Sequence, residues 1–192
     1  MGNSSYEQVL AGARQCFFRH GYTASNMTLI SQYAGYSRVT VHKHFKNKDD
    51  AFRMLCQQVV TEATDACQPI LADTRLLPWD AIEALMVVWL RPTFEEVNDE
   101  VVMRDLKFYV QEVADDLFLA AHEQVETMIE QRLRLGLEQG YIQLNRSQMT
   151  VMDMARLLVA SADGIRGYIP HKSIEKACHD LVKVFRAATQ IG

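Results

Sequence analysis

Arg38, Lys43, Lys46 and Lys48 stand close together in a stretch that contains no carboxylate until Asp49. At about 100° per residue, a helix beginning at Arg38 sends Val41, His44 and Phe45 to one side. It sends Val39, His42, Lys43 and Lys46 to the other. The first side can pack against a core. The second is cationic and suits the polyanionic groove of a duplex.

The elements that would position these side chains are legible just upstream. Met27, Ile30 and Ala34 repeat at helical spacing, Asn26 is placed to cap that helix, Gly35 stops it, and Ser37 caps the next. Two short helices across a Gly-containing turn form a helix-turn-helix. In that arrangement the second helix enters the major groove and its first turn reaches base edges.

Residues 1–48 hold Arg14, Arg19, Arg38, Lys43, Lys46 and Lys48 against Glu7 alone, a net +5, although the whole chain of 192 residues carries −4. The remainder is therefore strongly acidic. The overall sum conceals a polarised molecule. A hydrophobic content of 48% can supply a sizeable core, and four Pro with nine Gly leave little material for a disordered linker.

The first fifty residues resemble the tetracycline-repressor (TetR) family of bacterial transcription regulators. The matching pattern is Phe17-x-x-x-Gly21-Tyr22, Met27-x-x-Ile30, Ala34-Gly35-Tyr36-Ser37, Thr40, His44-Phe45 and Lys46-Asn47-Lys48-Asp49, in order and at the family's spacing. The resemblance implies DNA contacts at Thr28, Ser37, Arg38, Val39, Thr40, His42, Lys43, His44 and Lys48. It also implies a homodimer and an inducer site in the remaining three-quarters of the chain.

Chemistry assigns jobs to these positions. Arg38 can hold a guanine through O6 and N7, worth roughly 1–3 kcal/mol of discrimination if bidentate. Val39 offers an apolar surface that a thymine methyl would fit. Thr28, Thr40 and Lys48 suit phosphates, which position without specifying. The chain departs from the family in having Val39 in place of Gly and His42 in place of Tyr. A histidine can donate to phosphate, but it is charged only near or below pH of about 6.5, so DNA affinity is expected to vary with pH. His44 faces inward by helical phase, and a packing role is equally open to it.

Periodicity predicts an all-α chain of about nine helices. The first spans Ser4 or Ser5 to His20, with Tyr6, Val9, Leu10, Ala13 and Phe17 inward and Gly21 as its stop. After the helix-turn-helix, Asn47 caps a helix from Lys48 to Pro69 with Ala51, Phe52, Leu55, Val59, Ala63 and Ala66 inward. Pro78 opens a helix through Trp89 that breaks at Pro92. Helices follow over Val97–Val113, with Val101, Val102, Leu106, Tyr109 and Val113 inward, and over Ala114–Gln139, stopped by Gly140. Asn145 or Ser147 caps a helix ending at Pro170, and Ser173 starts the last. No strand alternation or internal repeat is present. The expected division is a DNA-binding head at 1–48 and a ligand-binding and dimerisation body at 49–192. Excess apolar surface in the last two helices lets two protomers form a four-helix bundle, or alternatively completes a monomer core.

In the body, Met86, Trp89, Met103, Phe108, Tyr109, Phe118 and His122 could line a pocket for an apolar molecule, or serve as ordinary core. The four cysteines show neither C-x-x-C nor zinc spacing, so no disulfide framework, metal or cofactor is expected. His122-Glu-Gln-Val-Glu126 lacks the second His of a zinc protease, Gly164-Ile-Arg-Gly167 follows no strand, and no G-x-S-x-G occurs. No catalytic set assembles. The first twenty residues lack the apolar h-region expected of a leader and fail the myristoylation pattern at Tyr6, and Ala84–Leu90 is too short to span a bilayer. A cytoplasmic, dimeric DNA-binding repressor with a small-molecule effector is the expectation. The alternatives are a regulator whose body only dimerises and a thiol sensor using Cys56 or Cys67.

Overall fold

In the computed structural model Ser4 opens the first helix with a reciprocal cap. Its hydroxyl accepts from Glu7 N at 3.3 Å while the Glu7 carboxylate accepts from Ser4 N at 2.8 Å. The structure describes residues 4–91, 94, 96–145, 148–168 and 173–189. Its helices are α1 (Ser5–Ala24), α2 (Met27–Ala34), α3 (Arg38–His44), α4 (Lys48–Ala72), α5 (Pro78–Trp89), α6 (Glu100–Glu138), α7 (Val151–Tyr168) and α8 (Ile174–Thr189). No strand occurs among the described residues. The all-α expectation holds, with eight helices where about nine were expected.

The missing ninth has a local cause. The two helices expected to meet at Ala114 run on as α6, with Ala114 at φ −144°, ψ 19° marking a kink at the expected junction. The Val113 carbonyl there accepts from Arg53 Nη1 at 2.9 Å, and Arg53 also pairs with Asp116 at 2.5 Å. A planar guanidinium meets a carbonyl and a carboxylate together, which a Lys could not reproduce.

By contacts the chain groups into two units: residues 1–61 with 93–118, and residues 62–92 with 119–192. This grouping draws its line at Thr61 rather than at Lys48, and it draws a second stretch of chain into the first unit. The core explains why. Val9, Ala13, Phe17, Ile30, Val41, Phe45, Phe52 and Leu55, all fully buried, share one cluster with Phe94, Val97, Leu106 and Ala114. Each buried Phe or Leu contributes roughly 1.5–3 kcal/mol by leaving water. α1 and α2 approach so closely that a Cβ on Gly12 would stand 2.4 Å from Ala34 Cα.

Gly21 interrupts α1 at φ 78°, ψ 176°, a left-handed φ that glycine tolerates. The helical path predicted to stop there does break, although the helix resumes to Ala24. Two other boundaries moved. α4 continues past Pro69 to Ala72, and α6 begins at Glu100 rather than Val97 because Asp99 accepts from Val101 N and Val102 N at 2.8 and 3.2 Å. Val101 then falls in the open first turn and is exposed rather than inward. Along α4 the inward face past Val59 runs through Val60, Thr64 and Cys67, leaving Ala66 exposed.

In the second unit α5 and α7 each pack on α8. Trp79 Nε1 donates to Thr189 Oγ1 at 3.0 Å, and Arg186 bonds to Asp80. Buried Ile82, Leu85, Ile129, Leu133, Met154, Leu158 and Val182 form the interior. Arg132 is buried as well, and its Nη2 donates to the carbonyls of Ile70, Leu71 and Asp73 at 2.6, 2.5 and 2.9 Å. One guanidinium thus closes the C-terminal end of α4, which Pro69 leaves without a glycine stop. The cap of α7 is Thr150, reciprocally bonded with Asp153, rather than Asn145. Ser147, Pro92 and Pro170, also expected at helix boundaries, lie outside the described residues.

Candidate nucleic-acid interface

The geometry of α3 follows from its two ends. Gly35 ends α2 in the left-handed region at φ 69°, and Ser37 Oγ accepts from Thr40 N at 3.2 Å to start α3. Val41 and Phe45, both fully buried, anchor one side. The opposite side presents Arg38, His42, Lys43 and Lys46 to solvent, with Val39 71% exposed among them. A singly exposed apolar side chain is ordinary on a protein surface, and here it stands within a cationic face of the kind a base edge could meet.

The other expected contacts fall into distinct settings. Thr28 is exposed in the first turn of α2 and lines one open groove with Gln32 and Arg38. Ser37 is exposed, and Thr40 is half-buried with its hydroxyl 3.0 Å from Ser37 Oγ. His44 turns inward: its Nε2 lies 3.1 Å from Ser5 Oγ and its ring meets Tyr6 edge-on at 5.8 Å. Lys48 is folded onto its own chain, with Nζ donating to the Tyr22 carbonyl at 3.1 Å and lying 4.0 Å over the Tyr22 ring.

Comparison with known proteins agrees with this geometry. The sequence profile described as bacterial regulatory proteins, tetR family, matches residues 9–54, which spans most of α1, all of α2 and α3, and the start of α4. The transcriptional repressor AcnR of Corynebacterium diphtheriae is 26% identical over 145 residues, covering 65% of this chain and 76% of that one. A TetR transcription regulator from Haloarcula marismortui superposes with TM-score 0.79 at 17% identity, covering 97% of this chain and 98% of that one. SmeT, the repressor of a Stenotrophomonas maltophilia multidrug efflux pump, superposes with TM-score 0.70 at 20% identity, covering 98% and 92%; it has also been solved with triclosan.

The chain belongs to the TetR family. This TetR-family protein is accordingly a DNA-binding transcriptional regulator of the helix-turn-helix type.

Residues that sequence reasoning missed in the regulator lie beside the interface rather than on it. Asp105 of α6 accepts from Thr23 N at 2.9 Å and from Thr23 Oγ1 at 2.5 Å. A Cβ on Gly21 would stand 2.5 Å from Asp105 Oδ2, so a side chain there would push that carboxylate aside, and the φ of 78° favours glycine in its own right. Tyr109 stacks on Tyr22 with ring centroids 3.8 Å apart. Gly21 was visible as a helix stop and Gly21-Tyr22 as part of the family pattern, but the partner eighty residues on carried no pattern.

Of the seven pocket candidates, Met103, Phe108, Tyr109 and Phe118 belong to the first unit, and Met86, Trp89 and His122 to the second. Phe108 is exposed, while Met103, Tyr109 and Phe118 pack against the core of the first unit. In the second unit Met86 and Trp89 are buried, Trp89 meets His122 edge-on at 5.4 Å, and His122 Nε2 lies 2.9 Å from Asp163.

All four cysteines of the regulator are buried and unbridged. Burial pushes the thiol of Cys56 up to about 12 and that of Cys67 up to about 11, so the reactive thiolate is scarce at neutral pH. Among the described residues no group of His, Cys, Asp and Glu could hold a metal ion, and no helix is long and apolar enough to cross a membrane.

Proposed function

We propose that the regulator acts as a cytoplasmic homodimer on a near-palindromic operator, with α3 of each protomer in the major groove, and represses until a small apolar molecule enters the body. In this reading residues 1–48 touch DNA and residues 49–192 dimerise and take the effector. Arg38 and Val39 read base edges, His42 and Lys43 meet the groove and its phosphates, and Thr28, Ser37, Thr40 and Lys48 hold the backbone. His44 acts through α1, by fixing the register of α3.

The observation that carries the proposal is the outer face of α3, where Arg38, Val39, His42 and Lys43 stand in solvent with buried Val41 and Phe45 holding them from behind. Mobility-shift titration of a duplex selected by the wild-type protein from a randomised pool tests it. Arg38→Ala is expected to weaken binding about tenfold or more, and Lys43→Ala less, with a shallower salt dependence. Wild-type affinity in both variants would overturn it.

Pairing through α7 and α8 is supported by Leu157 and Val184, which are 45% and 67% exposed on those helices. Sedimentation of Leu157→Glu and Val184→Glu as monomers is the expected result. The reading in which the body only dimerises is favoured by Met86 and Trp89, which are 1% and 4% exposed and so already serve as core. Thermal denaturation with triclosan and other apolar compounds separates the two. A raised Tm supports an effector, because a ligand stabilises only the state it binds.

A further inference from the structure

Lys48 is the one expected DNA contact whose charged end is already engaged by the protein at both a carbonyl and a ring. The partner in each case is Tyr22, which is 6% exposed. The Tyr22 ring is fixed on every side. Tyr109 covers one face at 3.8 Å and 24°, which leaves Lys48 Nζ, at 4.0 Å, only the other. Phe52 meets it edge-on at 5.1 Å, and the Tyr22 hydroxyl donates to Asp49. The Tyr22 backbone is fixed as well, with Gly21 at φ 78° before it and Thr23 bonded twice to Asp105 after it.

We infer that Tyr22 is a positioning residue for Lys48, and that Tyr109 of α6 sets where Tyr22 stands. An ammonium has three donors. The Tyr22 carbonyl takes one and the ring face screens one side, so the remaining donors are aimed before any phosphate arrives. A flexible lysine loses rotamer freedom when it grips a phosphate, and here that loss is incurred in folding. The Tyr22 hydroxyl meanwhile holds the carboxylate of Asp49, Lys48's neighbour in the chain. Removing the stacked ring of Tyr109 opens the far face of Tyr22 and lets ring and ammonium drift together.

This inference rests on the reading of Lys48 as a phosphate contact, and the test keeps the two apart. Binding of a labelled duplex, selected from a randomised pool by the wild-type protein, is measured against salt for Lys48→Ala, Tyr109→Ala, Tyr109→Phe and the double variant Tyr109→Ala/Lys48→Ala. Lys48→Ala is expected to weaken binding severalfold and to lower the log–log salt slope by about one. Tyr109→Ala should cause a smaller loss with part of that slope change, Tyr109→Phe should bind as wild type, and the double variant should be no weaker than Lys48→Ala alone. A purely structural role for Tyr109 would instead multiply the two losses and leave the slope untouched, which overturns the inference alone. Wild-type affinity and slope in Lys48→Ala would overturn the phosphate reading and this inference with it. If Tyr109→Ala does not fold, Tyr109→Leu, which keeps apolar cover without the stacked ring, is read the same way.

Discussion

The first unit and the second enclose similar apolar interiors, and bonds between residues far apart in sequence close both, at the surface in the first and partly in the interior of the second. In the first, α1 is tied at Thr23 to Asp105 and at Arg14 to Glu96, and α4 is tied at Arg53 to Asp116 and Val113, each pair far apart in sequence. In the second, Leu, Ile, Val and Met fill the interior, while buried Trp79 donates to Thr189, Arg186 bonds to Asp80, and buried Arg132 donates to three carbonyls. Bonds fix an angle and a distance, whereas apolar packing fixes volume and tolerates exchange.

The largest expected effect tests whether the first unit depends on its shared core. Phe52→Ala removes a fully buried ring that meets both Phe17 and Tyr22. It should cost roughly 3–5 kcal/mol in chemical denaturation and abolish DNA binding. Next is the buried cation of the second unit: Arg132→Met leaves the Ile70, Leu71 and Asp73 carbonyls without their donor. A loss of roughly 2–3 kcal/mol is expected, and a neutral result would mean that shape alone suffices there.

Gly12→Ala sharpens the contrast from the other side. Its Cβ must displace the Ala34 backbone, so α2 moves and DNA affinity should fall along with roughly 1–3 kcal/mol of stability. Smallest is a pH effect. The Arg53 guanidinium holds the Asp116 carboxyl below its ordinary 3.8. A depressed carboxylate stabilises the fold above its unfolded pKa, and that contribution fades as pH falls below 3.8 through the folded value. Asp116→Asn should therefore flatten the acid limb of a Tm-against-pH curve and change little at pH 7.

What could be read in advance follows the same line. Ser4, Asn26, Gly35, Ser37, Asn47 and Pro78 announced helix starts and stops because capping is a local transaction between residues three or four apart. The outward set Arg38, Val39, His42 and Lys43 followed from phase alone. Asp105, Tyr109 and Arg53 did not, since a bond across eighty or sixty residues leaves no period behind. Val101 and Ala66 were misplaced because periodicity shows which residues share a face but not where a helix starts or what covers its end. Thr150 was missed as a cap because Asn145 and Ser147 offered the same chemistry nearby.

The interior of the first unit is contributed by two stretches of chain that the sequence keeps apart, and this matters to anyone building a chimeric regulator. A new DNA specificity cannot be transplanted with a single splice after α3, because Phe94, Val97, Leu106 and Ala114 would stay behind with the recipient. A working graft would carry both stretches, or would leave the scaffold whole and alter only Val39, His42 and their exposed neighbours.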